Sequence, residues 1–415
     1  MKNFLKTYMS VIILLAAIII GAIVGIVFKE KAAVLSPLGD IFLNLMFVVI
    51  VPLIFLSIST SISRMKQPKR LGKIMITIIA MFVVTSLVAV FVGLAVAYPV
   101  KLVNPEDGET IKASLEEQEE PLTEEDDQTI LERTVSALTV NDFSKLLSKS
   151  NIIAIIVFSI LFGMAMNMAG EKAKPVEEFL NSAYEVIMKL IKIIMYYAPI
   201  GLGCYFAALI GTFGGSIAVG YAKTFVIYTA VAILFYIIVY TIYALIAGGK
   251  RGVVTFWKNI IPATVTALAT CSSAASIPVN TEASKKMGVS DDIAETMIPL
   301  GTSFHKDGSI IGSVFKIMFL VCLFGTSASI WQIILVALIA NLLITAVPIG
   351  GGTISEMMIL TMMGYPVAAL PILTIIATII DPPATVLNVI GDTSSSMLAA
   401  RIVDGKDWMD KSKKK

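Results

Sequence analysis

Residues 301–309, Gly-Thr-Ser-Phe-His-Lys-Asp-Gly-Ser, interrupt an apolar run with three ionisable side chains, His305, Lys306 and Asp307. The flanking segments, Ile293–Leu300 and Ile310–Phe324, are each too short to cross a bilayer and together are about the right length. The stretch predicts one membrane helix broken in the middle. Unwound backbone at that depth is tolerated only where it is buried in protein or lines a polar cavity, and a charge there marks a substrate or ion site by default.

The rest of the chain supports that setting. Only 15% of its 415 residues are charged, and mean hydropathy is +0.87. Long apolar runs recur, such as Val11–Phe28 and Phe42–Ile58, so the expectation is an all-α polytopic membrane protein. A single histidine excludes a His-based metal or catalytic cluster. Cys204, Cys271 and Cys322 all lie in apolar segments, which argues against a disulfide framework. The net charge of +2 gives no reason to expect a nucleic-acid partner. The basic N-terminus runs into a full-length span with no small-residue cleavage pattern, and is read as a retained first helix.

Residues 1–100 hold three spans, Met9–Phe28, Ile41–Ile62 with Pro52, and Ile74–Tyr98 with Thr85-Ser86. The basic loop Arg64–Arg70 places its side, and hence the N-terminus, in the cytoplasm. Residues 101–150, dense in acids from Glu106 to Asp127, are expected as a partly disordered extracellular loop with no chemistry, ending in a short helix at Val140–Leu147. Residues 151–247 hold spans four to six: Ile152–Met168, Tyr184–Ile210 with a break at Tyr197–Gly201, and Ile217–Ala247.

Beyond this the pattern changes. Residues 248–289 carry Lys and Arg on both flanks and a Ser-rich centre, the signature of a re-entrant hairpin entered from the cytoplasm. The broken span seven follows at 290–328. A second hairpin, interrupted at Val347–Gly352, covers 329–364, and a span eight broken from Asp381 to Ser396 covers 365–405. The basic tail, 406–415, is cytoplasmic. Eight transmembrane helices plus two re-entrant helical hairpins, with the unit "hairpin, then broken helix" occurring once from each side, describe an inverted repeat. Secondary transporters place their site at such a repeat interface.

Several residues suit that site. Ser272 and Ser273 sit at a hairpin tip, where free helix amides favour a carboxylate; the alternative is that small residues only allow close helix approach. Asp307, Asp381 and Asp392 are acids in apolar surroundings and need cations, whether a metal ion, a substrate amine or Lys306; the alternative is a static ion pair. Gly301, Gly308 and Gly391 beside them favour unwound backbone whose carbonyls coordinate a hard cation. Asp381, Thr385 and Asn388 share one helical face, fit either for an amino acid or for interhelical hydrogen bonds.

Leu38-Gly39-Asp40, Val51-Pro52, Thr85-Ser86, Tyr197–Gly201, Pro299-Leu300-Gly301, Asp307-Gly308, Val347-Pro348 and Asn388–Asp392 occur in one order along nearly the whole chain. In this the sequence resembles the dicarboxylate/amino acid:cation symporter family. The resemblance implies a plasma-membrane homotrimer working by an elevator mechanism. Spans one, two, four and five would form the scaffold; spans three and six, both hairpins and both broken spans would form the moving domain. It implies a substrate site of Ser272, Ser273, Ser309, Val347, Gly350, Asp381, Thr385 and Asn388, with Asp381 on the amine. It implies a coupling set of Thr85, Ser86, Gly301, Ser303, His305, Lys306, Asp307, Asn388 and Asp392, with one sodium held by Asp392, Gly301 and Asn388.

Four departures qualify the likeness. The arginine that clamps an acidic side chain in members of the family is Ala384 here, and its alternative position in the hairpin is Cys271. A guanidinium is hard to replace, so the expected substrate is a small neutral amino acid such as serine, alanine or threonine. Asn-Met of the family's Asn-Met-Asp-Gly-Thr motif reads His305-Lys306; an aromatic hydroxyl expected before Thr85 is Phe82; a proton-carrying glutamate falls at Ser313. A fixed charge about 4 Å from a bound sodium repels it by roughly 4 kcal/mol at an effective dielectric of 20. Sodium coupling is therefore expected to be reduced or lost, with Lys306, His305 and Glu356 as candidate proton carriers. The alternatives are a dicarboxylate or acidic amino acid held by Lys306, a conventional sodium symporter, and, in a different class, a channel.

Overall fold

The computed structural model describes residues 2–63, 69–103, 139–148, 151–213, 215–342 and 352–411. Among these every regular element is helical. In chain order they are α1 (Lys2–Phe28), α2 (Ser36–Ser63), α3 (Lys69–Ala97), α4 (Phe143–Leu146), α5 (Ile152–Ala169), α6 (Lys174–Phe213) and α7 (Gly215–Leu234). A π turn, Phe235–Val239, leads into α8 (Tyr240–Thr270). Then come α9 (Ser273–Lys286), α10 (Asp291–Phe304), α11 (Asp307–Leu323), α12 (Ile330–Leu342), α13 (Gly352–Met363), α14 (Leu370–Val403) and α15 (Trp408–Lys411).

The helices 76–97, 217–259 and 367–403 are, among the described residues, long and apolar enough to cross a membrane by length and composition. Ile19, Ile20, Ile23 and Ile26 on α1 and Ile233, Leu234, Ile237 and Ile238 near the end of α7 are exposed. Apolar surface on this scale is stable only against lipid or another apolar surface.

Packing divides the helices into two groups. α1 and α2 lie against α6, and α5 against α2. α3, α7 and α8–α14 form the other group, in which α8 packs along α14 and α11 packs between α3 and α14. Small residues set these contacts. A Cβ on Gly21 would strike the Gly203 backbone, and one on Gly308 would strike the backbone of Ala384.

α8 is two helices in one assignment. Gly248 and Gly249 leave helical geometry, and Gly249 adopts φ +61°, a conformation that favours glycine. The chain thus finishes span six, turns, and runs up to Thr270. Cys271 sits at φ +46°, Ser272 caps α9 through Ala275 N–H at 3.2 Å, and α9 returns antiparallel to 286. The first hairpin is therefore a helix-turn-helix with its tip at Cys271-Ser272. Residues 343–351, the interruption between α12 and α13, lie outside the described residues, and Val347 and Gly350 with them.

One expectation is corrected. Residues 381–396, read from sequence as a break, belong to the continuous helix α14. Pro382 and Pro383 remove two N–H donors without ending it. Several of its polar groups find partners on a neighbouring helix or one turn back: Asn280 Nδ2 donates to Val389 O at 2.8 Å, Thr393 bonds Asn280, and Ser396 Oγ donates to Thr393 O at 2.7 Å. A polar run inside a bundle needs no unwinding when side chains meet it.

Candidate functional site

The break between α10 and α11 is two residues long. His305 (φ −118°, ψ 113°) and Lys306 (φ −144°, ψ 66°) leave the helix, and Asp307 starts the next one. This turns His305 inward until it is fully buried. Its Nδ1 lies 3.0 Å from Asp392 Oδ1 on α14. Its Nε2 lies 2.7 Å from Thr85 Oγ1 on α3 and 3.1 Å from Asp307 Oδ1. Phe82 stacks on the ring, with centroids 4.7 Å apart and 12° between planes.

The hydrogen count follows from those contacts. The Thr85 hydroxyl has a carbonyl acceptor, Met81 O, at 2.8 Å, so it receives a hydrogen from Nε2. Nδ1 faces a carboxylate oxygen. Both nitrogens therefore carry hydrogen, or Asp392 holds the shared proton; in either case one proton's charge sits on the His305–Asp392 pair. His305, Lys306, Asp307 and Asp392 thus bring two bases to two acids.

The side chain lodged between the two acids is His305, and Lys306 follows it as the last residue of the break. The glycines act differently from expectation. Gly301, Gly308 and Gly391 are helical, and their use is close approach. A Cβ on Gly301 would strike the Asp392 carboxylate, and one on Gly391 would come within 2.9 Å of Asp307 Oδ2 and 3.0 Å of His305 Cε1. Ser86 is fully buried beside Thr85, and its Oγ has no hydrogen-bond partner among the described residues. The Ser303 side chain lies outside the described ones.

A second group lies along α14. Thr385 Oγ1 is 3.4 Å from Asp381 Oδ1, as their shared face predicts. Asn388 Oδ1 receives the N–H groups of Gly308 (3.0 Å) and Ser309 (3.2 Å), and its Nδ2 donates to Ser309 Oγ at 3.0 Å. Asn388 thus caps the N-terminus of α11, whose first amides have no partner within the helix. Tyr228 OH donates to Gly308 O at 2.8 Å, and Tyr240 OH donates to Leu387 O at 2.6 Å while lying 3.2 Å from Asp307 Oδ2. Ser273, just past the first hairpin tip at Cys271-Ser272, is the first residue of α9.

Sequence reasoning missed Tyr228, Tyr240 and Asn280, since a lone tyrosine or asparagine in an apolar run carries no periodic signal. It also missed the pairing of Lys316 with Glu356 at 2.9 Å. A basic residue in the otherwise apolar 310–324 was the available signal.

Buried acids and bases gathered at a helix break, inside a bundle with extensive exposed apolar surface, are the arrangement expected of an integral membrane transporter. The match to known proteins identifies which kind: residues 10–402 fit the sodium:dicarboxylate symporter family, and the chain belongs to it. It is similar to a proton/sodium-glutamate symport protein of Bacillus subtilis, 26% identical over 397 residues that cover 92% of this chain and 90% of that one. It is 28% identical over 399 residues to the protein of the same description from Bacillus caldotenax, covering 92% of each. A C4-dicarboxylate transport protein of Bordetella avium is 27% identical over 393 residues, 93% of this chain and 87% of that one.

Proposed function

We propose that this protein is a secondary carrier of a small amino acid, neutral members favoured, in which His305 stands in for a coupling sodium. The observation that carries the reading is the imidazole between Asp307 and Asp392, 3.1 Å from one and 3.0 Å from the other. A sodium ion needs oxygen ligands turned towards it; here those carboxylates already face a proton-bearing imidazole on the chain itself. The family's sodium therefore does not fit this donor set, and coupling is to protons or absent. Asp381 and Thr385 receive the solute's ammonium, while Ser309, Asn388 and the Ser272–Ser273 tip receive its carboxylate. Ala384 and Cys271 supply no cation for a second carboxylate.

The grouping of α1, α2, α5 and α6 apart from α3 and α7–α14 supports an elevator motion of one group past the other. A homotrimer in the plasma membrane with both termini cytoplasmic is the assembly the family likeness favours.

A second reading is supported by the relatives' descriptions: a glutamate-like or C4-dicarboxylate solute, with Lys306 taking the distal carboxylate. Uptake into proteoliposomes, with choline replacing sodium, tests coupling; uptake abolished by the swap overturns the His305 reading. Competition by serine, alanine, threonine, aspartate, fumarate and succinate separates the two solute classes, and counterflow separates a carrier from a channel.

A further inference from the structure

The first hairpin is bounded at both roots by a glycine in a backbone conformation that other residues rarely adopt. Gly249, where the first arm begins, has φ +61°, and Gly288, just past the second arm, has φ +100°. Hinges are a few such positions that absorb a change in backbone angle. Between the two roots, α9 meets α14 through neutral bonds: Asn280 to Val389 and Thr393, and Ser396 Oγ to Ser284 Oγ at 3.2 Å.

The end of the chain lies on both hinges. A Cβ on Gly248 would come within 2.7 Å of Met409 Sδ and 3.7 Å of Trp408 Cζ2. A Cβ on Gly288 would lie 3.6 Å from Met409 Cα and 3.7 Å from Trp408 Cζ3. The two glycines leave a slot that Trp408 and Met409 fill, at 2% and 8% exposure. Trp408 Nε1 donates to Ala247 O at 2.9 Å, Arg251 Nη2 to Met409 O at 3.3 Å, and Ser290 Oγ to Asp404 Oδ2 at 3.0 Å. Residues 404–411 therefore touch the end of span six, the first arm of the hairpin and the residue that precedes α10.

Burial of two side chains holds this segment, and its backbone adds little. α15 is a single turn of four residues, too short to be a stable helix by itself. It is reached through Gly405, at φ +88° with nothing within 4 Å of a Cβ placed there. Its ion pair, Arg251 with Asp410, has side chains 46% and 66% exposed and contributes little. Withdrawal of Trp408 and Met409 frees the segment while α14 stays in place.

We infer that residues 404–411 are a strap that brakes the first hairpin. With Trp408 and Met409 seated, the Gly248-Gly249 turn and Gly288 cannot change their backbone angles without striking the indole or the thioether. The tip at Cys271-Ser272 then stays where α14 holds it. With the strap withdrawn, both roots turn and the tip moves. Each transport cycle requires that release.

The test uses full-length protein in proteoliposomes. Cys322→Ser leaves two native thiols, Cys271 at the hairpin tip, 5% exposed, and Cys204 on α6 in the other helix group. N-ethylmaleimide labelling of each is timed by peptide mass, without any solute. Trp408→Phe/Met409→Ala loosens the strap and keeps a ring in the slot. It is expected to speed labelling at Cys271 by about tenfold and to leave Cys204 unchanged. An unchanged rate at Cys271 overturns the inference, and so does an equal rise at both thiols, which reports general loosening. A second variant fastens the strap. With the three native cysteines replaced by serine, Gly248→Cys/Met409→Cys places two thiols across the slot. Closing that disulfide is expected to slow uptake of the transported solute, found among serine, alanine, threonine, aspartate, fumarate and succinate, by about tenfold, and dithiothreitol to restore it. Uptake as fast with the disulfide closed as with it reduced overturns the brake.

Discussion

Phe82 lies flat against His305, their ring centroids 4.7 Å apart. The family's pattern has an aromatic hydroxyl at this position of α3; a phenyl face offers no oxygen to a metal, and a good surface to an imidazolium. On the proposed reading, a phenyl in place of an oxygen ligand at 82 and an internal base at 305 are two halves of one change.

Reversing half of it gives the first prediction. His305→Asn restores the family residue and removes the internal cation from between Asp307 and Asp392. Uptake by this variant is expected to become sodium dependent, about tenfold faster in sodium than in choline, since a charge once repelled by an amount of the order of 4 kcal/mol is now needed. Equal rates in the two salts would mean that His305 does not exclude sodium.

Asp381→Asn separates the two solute readings. If Asp381 holds an ammonium, serine and alanine uptake falls by about ten- to a hundredfold, because a charge-assisted contact is worth roughly 1.5–3 kcal/mol. Succinate, which has no amine, is not recognised by this contact; a variant that still transports succinate at the native rate while losing serine places both solutes at one site with different partners.

The glycine at 308 tests packing independently of chemistry. A Cβ there meets the Ala384 backbone, which cannot move as a side chain would. Gly308→Ala is expected to cost about 1–3 kcal/mol in overpacking and to lower the detergent melting temperature, with transport lost at the same time. Gly364→Ala is the control: its φ of +72° makes the substitution strained, yet nothing lies within 4 Å of the added carbon, so the expected cost is about 1 kcal/mol and transport survives.

Trp408 provides a test at the opposite end of the molecule. It is 2% exposed, and its indole donates to Ala247 O at 2.9 Å, beside the Gly248-Gly249 turn that starts the first hairpin. Arg251 reaches the same segment, 2.5 Å from Asp410 Oδ1. Trp408→Ala is expected to destabilise the protein by about 3–5 kcal/mol, read as a fall in melting temperature. Arg251→Ala, whose pair is largely exposed, is expected to have a small effect.

The helical membrane class and the break at 305–306 were legible in the sequence because both rest on local rules. Long apolar runs need lipid, and a stretch such as His305-Lys306-Asp307 between two half-length segments cannot remain helix facing hydrocarbon. The continuous α14 was not legible. Whether Asp381–Ser396 unwinds depends on Asn280, Ser309 and His305, which arrive from other helices.

By itself the chain determined where apolar helices form, where one of them must open, and which acids would need a cation. Only the tertiary arrangement decided which cation each acid received: His305 for Asp307 and Asp392, Lys316 for Glu356. The reason is the short reach of ion pairing. A partner must arrive within about 4 Å to offset the desolvation of a buried charge, and separations of 87 or 40 residues along the chain say nothing about which side chains will meet at that distance.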